Sequence, residues 1–282
     1  MELVMALLAG VIGVIVGGVI NVLADDLPAR EAPHLPHYPD GTPRPPSAWL
    51  GLLAFITGQR AAPRTAPPTT SDPDSESEPD DTSPARLSWR HLLVEIVTGL
   101  AFAGLALGYR DESNLWAWFV YVAILFLITV IDVEHRLILF VVIVPSCVFA
   151  FLVAAVSPED GKSFTEYVVG GALGGGLFFA MFVGGGVFAA LTRHDEVAFG
   201  FGDVMLATLC GLMIGWRSFI VASMITVFAG AFGAVAYMAG RALMRRRYRW
   251  FTPLPYGPYI VLGTLIMLLF REQVADVLWA TY

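Results

Sequence analysis

The chain has 282 residues, 56% of them hydrophobic and only 15% charged, with a net charge of −7 and a mean hydropathy of +0.68. Soluble domains carry about a quarter charged residues, so this balance excludes an ordinary soluble protein and makes lipid the solvent for most of the chain. The two cysteines, Cys147 and Cys210, lie in separate apolar segments, which excludes both a disulfide framework and a cysteine zinc site. Nucleic acid is not expected as a partner, and the sequence sets no oligomeric state.

The first apolar run, Leu3 to Ala24, has no basic residue ahead of it and no small-residue cleavage site, so residues 1–24 are expected to be a retained span. Residues 25–90 form a loop rich in proline, serine and acidic residues. Its tract at about 61–84 (AAPRTAPPTTSDPDSESEPDDTSP) cannot bury enough apolar surface to offset chain entropy and is expected to be disordered. Within that loop, Ala48 to Thr57 is apolar but too short to cross a bilayer, and a surface-lying or docked helix is expected.

Residues 91–282 read as a membrane-embedded core. Its candidate spans are Leu92–Gly108, Leu115–Ile131, Leu137–Val156, Tyr167–Leu191, Val204–Gly215, Phe219–Gly240 and Leu254–Phe270, of which Val204–Gly215 is the shortest. The expected fold is therefore an all-α polytopic membrane protein with about eight transmembrane helices. A cytoplasmic 25–90 loop puts most arginines inside, including the cluster from Arg241 to Arg249, and leaves only Arg110, Lys162, Arg217 and Arg271 outside. That orientation places both termini outside, in agreement with an even number of spans. The cluster is expected to anchor against anionic headgroups of the bilayer.

Acids at membrane depth cost roughly 2.5 to 3.5 kcal/mol each on insertion scales, so they are functional candidates by default. Asp132 ends the third span, Asp203 opens the sixth after Gly200-Phe201-Gly202, and Glu95 lies in the second. All three are expected toward the cytoplasmic side at similar depth. Two neighbouring carboxylates cannot both ionise, so one is base and the other acid, as peptide hydrolysis requires. Gly200 and Gly202 would let the backbone bend and a substrate strand approach beside Asp203. Taken singly, Asp132 and Asp203 could be interfacial or capping residues, and Glu95 could pair with Arg90 or His91 on its own helix. Glu134 is expected as a solvated loop acid that tunes its neighbourhood, and His135 as a helix-end residue rather than a metal ligand. The glycines of 170–176 and 184–186 give small-xxx-small spacing for close helix packing. Pro253, Pro255 and Pro258 around Gly257 either terminate a helix or shape a cavity near the acids.

Taken in order, these segments resemble the prepilin peptidases, the GxGD-type membrane aspartyl proteases. Gly17-Gly18-Val19-Ile20-Asn21-Val22 with Leu27-Pro28 is similar to the family's G-S-F-x-N-V…R-L-P signature. Ser88-Trp89-Arg90-His91-Leu92-Leu93-Val94-Glu95 with Thr98-Gly99 resembles its S-x-R-Y-P-x-V-E…T-G segment. Ile131-Asp132-Val133-Glu134 resembles the region of the first catalytic Asp. Gly200-Phe201-Gly202-Asp203 with Leu206-Ala207 resembles that of the second, and Pro255-Tyr256-Gly257-Pro258-Tyr259 resembles the closing P-F-G-P-F. The resemblance implies Asp132 and Asp203 as the catalytic pair, supported by Glu95, Glu134, Gly200 and Gly202, with no metal and no cofactor for proteolysis. It implies a prepilin or pseudopilin precursor as partner, cut after Gly on the cytoplasmic face of the bacterial inner membrane. It also implies S-adenosylmethionine as methyl donor if methylation of the new N-terminus is retained.

Several positions depart from the family pattern. The loop has no cysteine where many members carry two zinc-binding CxxC pairs, Asp26 stands for the usual Arg, Leu139-Phe140 for Pro-Asp, and Met205 for Lys. The same carboxylates could instead serve a proton- or cation-coupled transporter, against which stand the lack of an internal repeat and the placement of the acids toward one face. An inactive scaffold would tolerate replacement of both aspartates.

Overall fold

The computed structural model describes residues 2–30, 32–63, 85–109, 112–159, 162–192, 200–243, 256–270 and 273–274. Eight α-helices occur among them: α1 (Glu2–Asp26), α2 (Gly51–Ile56), α3 (Trp89–Gly108), α4 (Leu115–His135), α5 (Phe140–Val156), α6 (Phe164–Thr192), α7 (Phe201–Leu243) and α8 (Gly257–Leu269). No strand occurs among the described residues; two isolated bridges, His37 with Pro43 and Ala61 with Arg86, are the only extended pairings. The protein is an all-α polytopic membrane protein. Five helices (α1, α3, α4, α6 and α7) are long and apolar enough to cross a bilayer, and α5 and α8 are shorter apolar helices.

Local chemistry sets the helix ends. Ser88 caps α3 by accepting a hydrogen bond from Arg90 N, so the helix starts at Trp89 and takes in Arg90 and His91, ahead of the apolar run that begins at Leu92. Likewise α1 runs two residues beyond its apolar run, to Asp26. α4 stops where Arg136 turns left-handed (φ 54°, ψ 40°) and donates its N–H to Asp132 O. Among the described residues α8 begins at Gly257, with Pro258 in its first turn; Leu254, where the last span was expected to start, lies outside them.

The two expected spans Val204–Gly215 and Phe219–Gly240 form one 43-residue element, α7, interrupted at Gly215 (φ 77°, ψ 164°). A straight helix of that length would extend about 64 Å, twice the hydrocarbon thickness of a bilayer. It does not run straight. Gly170 of α6 abuts Gly211, Gly215 and Trp216, whereas Gly174, one turn further along α6, faces both Ala207 and Phe219. Ala207, before Gly215, and Phe219, after it, thus meet the same turn of α6, and the chain doubles back there into a helical hairpin. The glycine is required because its positive φ is strained for any other residue.

Glycines also set the closest helix contacts. The backbones of Gly170 and Gly211 touch, and Gly13 and Gly17 of α1 lie against Thr98, Gly99 and Glu95 of α3. Of the glycines in 170–176 and 184–186, Gly170, Gly171, Gly174 and Gly175 face α7 closely, whereas a Cβ on Gly176, Gly184 or Gly186 would meet nothing within 4 Å among the described residues. The main core joins α3, α4, α5, α7 and α8 around Leu105, Leu125, Ile143, Leu206, Leu209 and Ile260. A second small core, Tyr38, Ala48, Ala54, Ala62 and Leu87, organises the α1–α3 loop. Of the 61–84 tract, residues 64–84 lie outside the described residues. So do Arg110, Arg193, Arg271, Pro253, Pro255 and the arginines from 245 to 249. The start of the tract is tied down: Ala61 pairs with Arg86, and Ala62 N donates to Ala85 O.

Candidate active site

The C-terminal end of α4 and the N-terminal ends of α7 and α8 meet at one end of the bundle. Asp132 occupies the last turn of α4 and is buried. Its carboxylate rests against Gly257, the first residue of α8, and the position of a Cβ on that glycine overlaps Asp132 Oδ2 and lies 3.5 Å from Leu206. Asp132 Oδ2 is buried and has no hydrogen-bond partner among the described residues.

Asp203 is the third residue of α7, and its Oδ2 accepts a hydrogen bond from Gly200 N (3.3 Å) while Asp203 N donates to Gly200 O (3.2 Å). This is the reciprocal pattern of an acid in the first turn reaching back to the capping residue. The capping role and proximity to a second acid coexist, since the charges of Asp132 and Asp203 lie within electrostatic range of each other. Tyr256, just ahead of α8, lies within range of Asp203 as well. Gly202 packs on Ile138, where a Cβ would come within 2.8 Å of the Ile138 Cβ, so its smallness lets the start of α7 approach the α4–α5 connection. Phe201 stacks on Phe140 (6.5 Å) and meets Phe182 edge-on (5.9 Å), so the departure at Phe140 places an aromatic ring next to the GxGD turn.

The other candidate acids have different partners. Glu95 is 1% exposed and accepts hydrogen bonds from Gly51 N (2.6 Å), Leu52 N (2.7 Å) and Asn21 Nδ2 (3.5 Å). It pairs with neither Arg90 nor His91; its carboxylate holds the start of α2. Glu134 is not a loop acid. It sits in the last turn of α4, two residues past Asp132, and forms an ion pair with Arg90, whose other nitrogen pairs with Asp25. His91 Nε2 also reaches Asp25 (3.3 Å), so α1, α3 and α4 are tied together by one cluster. Asp26 is 1% exposed, accepts from His34 N (2.7 Å), and has the His34 and His37 rings 3.8 and 3.7 Å away.

Beside this cluster is a cavity of about 380 Å³ lined by Asp25, His37, Tyr38, Arg44, Arg86, Arg90 and Glu134, among others. Burial lowers the pKa of the Arg44 guanidinium there, against the raising influence of Asp25. His91 Nδ1 and Arg90 Nε are buried without a hydrogen-bond partner among the described residues. No group of three or more metal-ligating side chains occurs among the described residues.

The roles of Asn21, Asp25, Arg90 and Gly257 are not evident from the separate motifs. The available signal was polarity out of place: Asn21 within an apolar run, and Asp25 at its edge.

Residues 119–235, which include both Asp132 and Asp203, match the type IV leader peptidase family. Over that stretch the chain is similar to the type IV leader peptidase family. Among characterised relatives it is 28% identical over 192 residues to the prepilin leader peptidase/N-methyltransferase of Bacillus subtilis, covering 67% of this chain and 69% of that protein. Proteins of the same name from Aeromonas hydrophila and Dichelobacter nodosus are each 25% identical, over 67% and 68% of this chain and 61% and 62% of their own lengths. No solved structure matches the chain. The family is one of peptidases, and its relatives process prepilins.

Proposed function

We propose that the protein is a membrane aspartyl endopeptidase that removes the basic leader from prepilin or pseudopilin precursors after Gly, on the cytoplasmic side of a bacterial inner membrane, with both termini outside. The observation that carries this is the convergence of Asp132 and Asp203, from separate helices, within electrostatic range of each other at one end of the bundle. Arginine placement in the sequence supports the orientation.

The pair shares one proton. The ionised carboxylate takes a proton from water, whose oxygen adds to the scissile carbonyl, and the protonated partner donates a hydrogen bond to the carbonyl oxygen as it becomes tetrahedral. Collapse breaks the C–N bond, and the leaving amine is protonated from the pair. The leader departs with a new carboxylate. Glu134 acts indirectly, through the α4 turn that carries Asp132.

Retention of N-methylation completes the proposal. S-adenosylmethionine would supply an electrophilic methyl group, and the cavity beside Arg90 fits its charges. Arg44 and Arg86 suit a carboxylate, Asp25 and Glu134 suit cationic groups, and the unpartnered His91 Nδ1 and Arg90 Nε offer further polar contacts.

The test is co-expression with a prepilin-like precursor from the same organism, comparing wild type with Asp132→Asn and Asp203→Asn by mass spectrometry of the product N-terminus. Loss of cleavage in both inserted variants is expected, with a methylated wild-type product. Cleavage by either variant would overturn the catalytic assignment, and an unmethylated product would restrict the activity to proteolysis.

A further inference from the structure

The loop between α1 and α3 carries an apolar face that the acid pair does not use. Leu53 and Ile56, one helical turn apart on α2, are 40% and 73% exposed, and Trp49, just ahead of α2, is 44% exposed. The opposite side, Gly51 and Ala54, is buried, with Gly51 pressed against His91 and Glu95.

The depth of this element is fixed by its contacts. The Leu50 side chain meets Gly18, which lies about 12 Å along α1 from the end at Asp26. Gly51 N and Leu52 N bond to Glu95, about 9 Å along α3 from its start at Trp89. α2 therefore lies level with the second and third turns of two membrane spans. Its outer face also continues one of theirs. The Phe55 ring meets Trp89 at 4.7 Å, and from Trp89 the outward side of α3 runs on through the exposed Leu93, Ile96, Val97 and Leu100.

Two further features suit this depth. Arg60 lays its guanidinium over Phe55 (4.0 Å) and Trp89 (4.9 Å), the placement of a cation whose stem lies on apolar surface at a membrane boundary. The first N–H groups of α2, which water would satisfy on an aqueous surface, are instead given a buried carboxylate.

We infer that residues 46–57 are a membrane-embedded element whose Trp49, Leu53 and Ile56 contact lipid just beneath the headgroups, rather than a helix on the aqueous face of the loop. This goes beyond the peptidase assignment and does not depend on it.

Spin labels test it in the full chain, with Cys147 and Cys210 replaced by Ala, in phosphatidylcholine/phosphatidylglycerol vesicles. Cysteines are introduced singly at Leu53, Ile56, Leu100 and Asp40. Labels at Leu53 and Ile56 should show the high oxygen and low aqueous nickel accessibility of Leu100. Accessibility like that of Asp40 would overturn the inference, as would exclusion of both reagents, which would mean that protein covers this face. An unlabelled comparison guards against disturbance by the label. Brominated lipid should quench wild type more than Trp49→Phe, and equal quenching would count against lipid contact.

Discussion

Gly257 lies against the carboxylate of Asp132 with no space for a methyl group between them. The start of α8 therefore sets the position of an acid carried by α4. Gly257→Ala should displace that acid without removing it. Since a displacement of about 1 Å can cost about 100-fold in rate, leader cleavage is expected to fall by that order while the chain still inserts. Cleavage kinetics on purified enzyme would check this, and wild-type turnover would show that the contact is not needed.

Asn and Ala should have different effects at Asp203. Both remove the proton-transfer group, so both should abolish cleavage. Asn keeps an oxygen to accept from Gly200 N, whereas Ala loses the cap, at a cost of about 0.5 to 2 kcal/mol. Thermal unfolding in detergent should place Asp203→Ala below Asp203→Asn.

Arg90 holds Asp25 and Glu134 at once. Removing the guanidinium in Arg90→Met leaves the partly exposed Glu134 without its ion pair, next to the turn that bears Asp132, and Asp25 with His91 alone, with an expected loss of about 1 to 2 kcal/mol after allowing for solvent screening. Turnover should fall more than substrate affinity. Arg90→Lys, which keeps one charge but not the two-pronged geometry, should recover part of the loss.

Glu95→Ala would leave the Gly51 and Leu52 N–H groups without their acceptor, at about 1 to 3 kcal/mol for each group left unsatisfied. Limited proteolysis should then cut within residues 46–63 faster than in wild type. Glu95→Gln keeps an acceptor and should lie between the two.

The lengths of the apolar runs made most of the fold legible, because a bilayer demands apolar runs of fixed length. Helix ends were less so: Ser88 and Arg136 decide them through single backbone bonds that hydropathy does not register. The two spans joined at Gly215 were separable in sequence by length, yet their hairpin geometry rests on one positive φ. Asp132 and Asp203 stood out because charge is costly at their depth. The same cost marked Glu95, whose hydrogen bonds to two backbone N–H groups the sequence does not reveal. Glu134 is exposed, as a solvated acid would be, but its ion-pair partner Arg90 is too distant in sequence for the pattern to show it.

The loop that holds α2 is folded by Tyr38, Ala48, Ala54, Ala62 and Leu87, and by carboxylates accepting from backbone N–H groups. It contains no thiol. Thiol-modifying agents therefore have nothing to act on there. Heat and chaotropes, which weaken apolar burial, are the agents that should dismantle it.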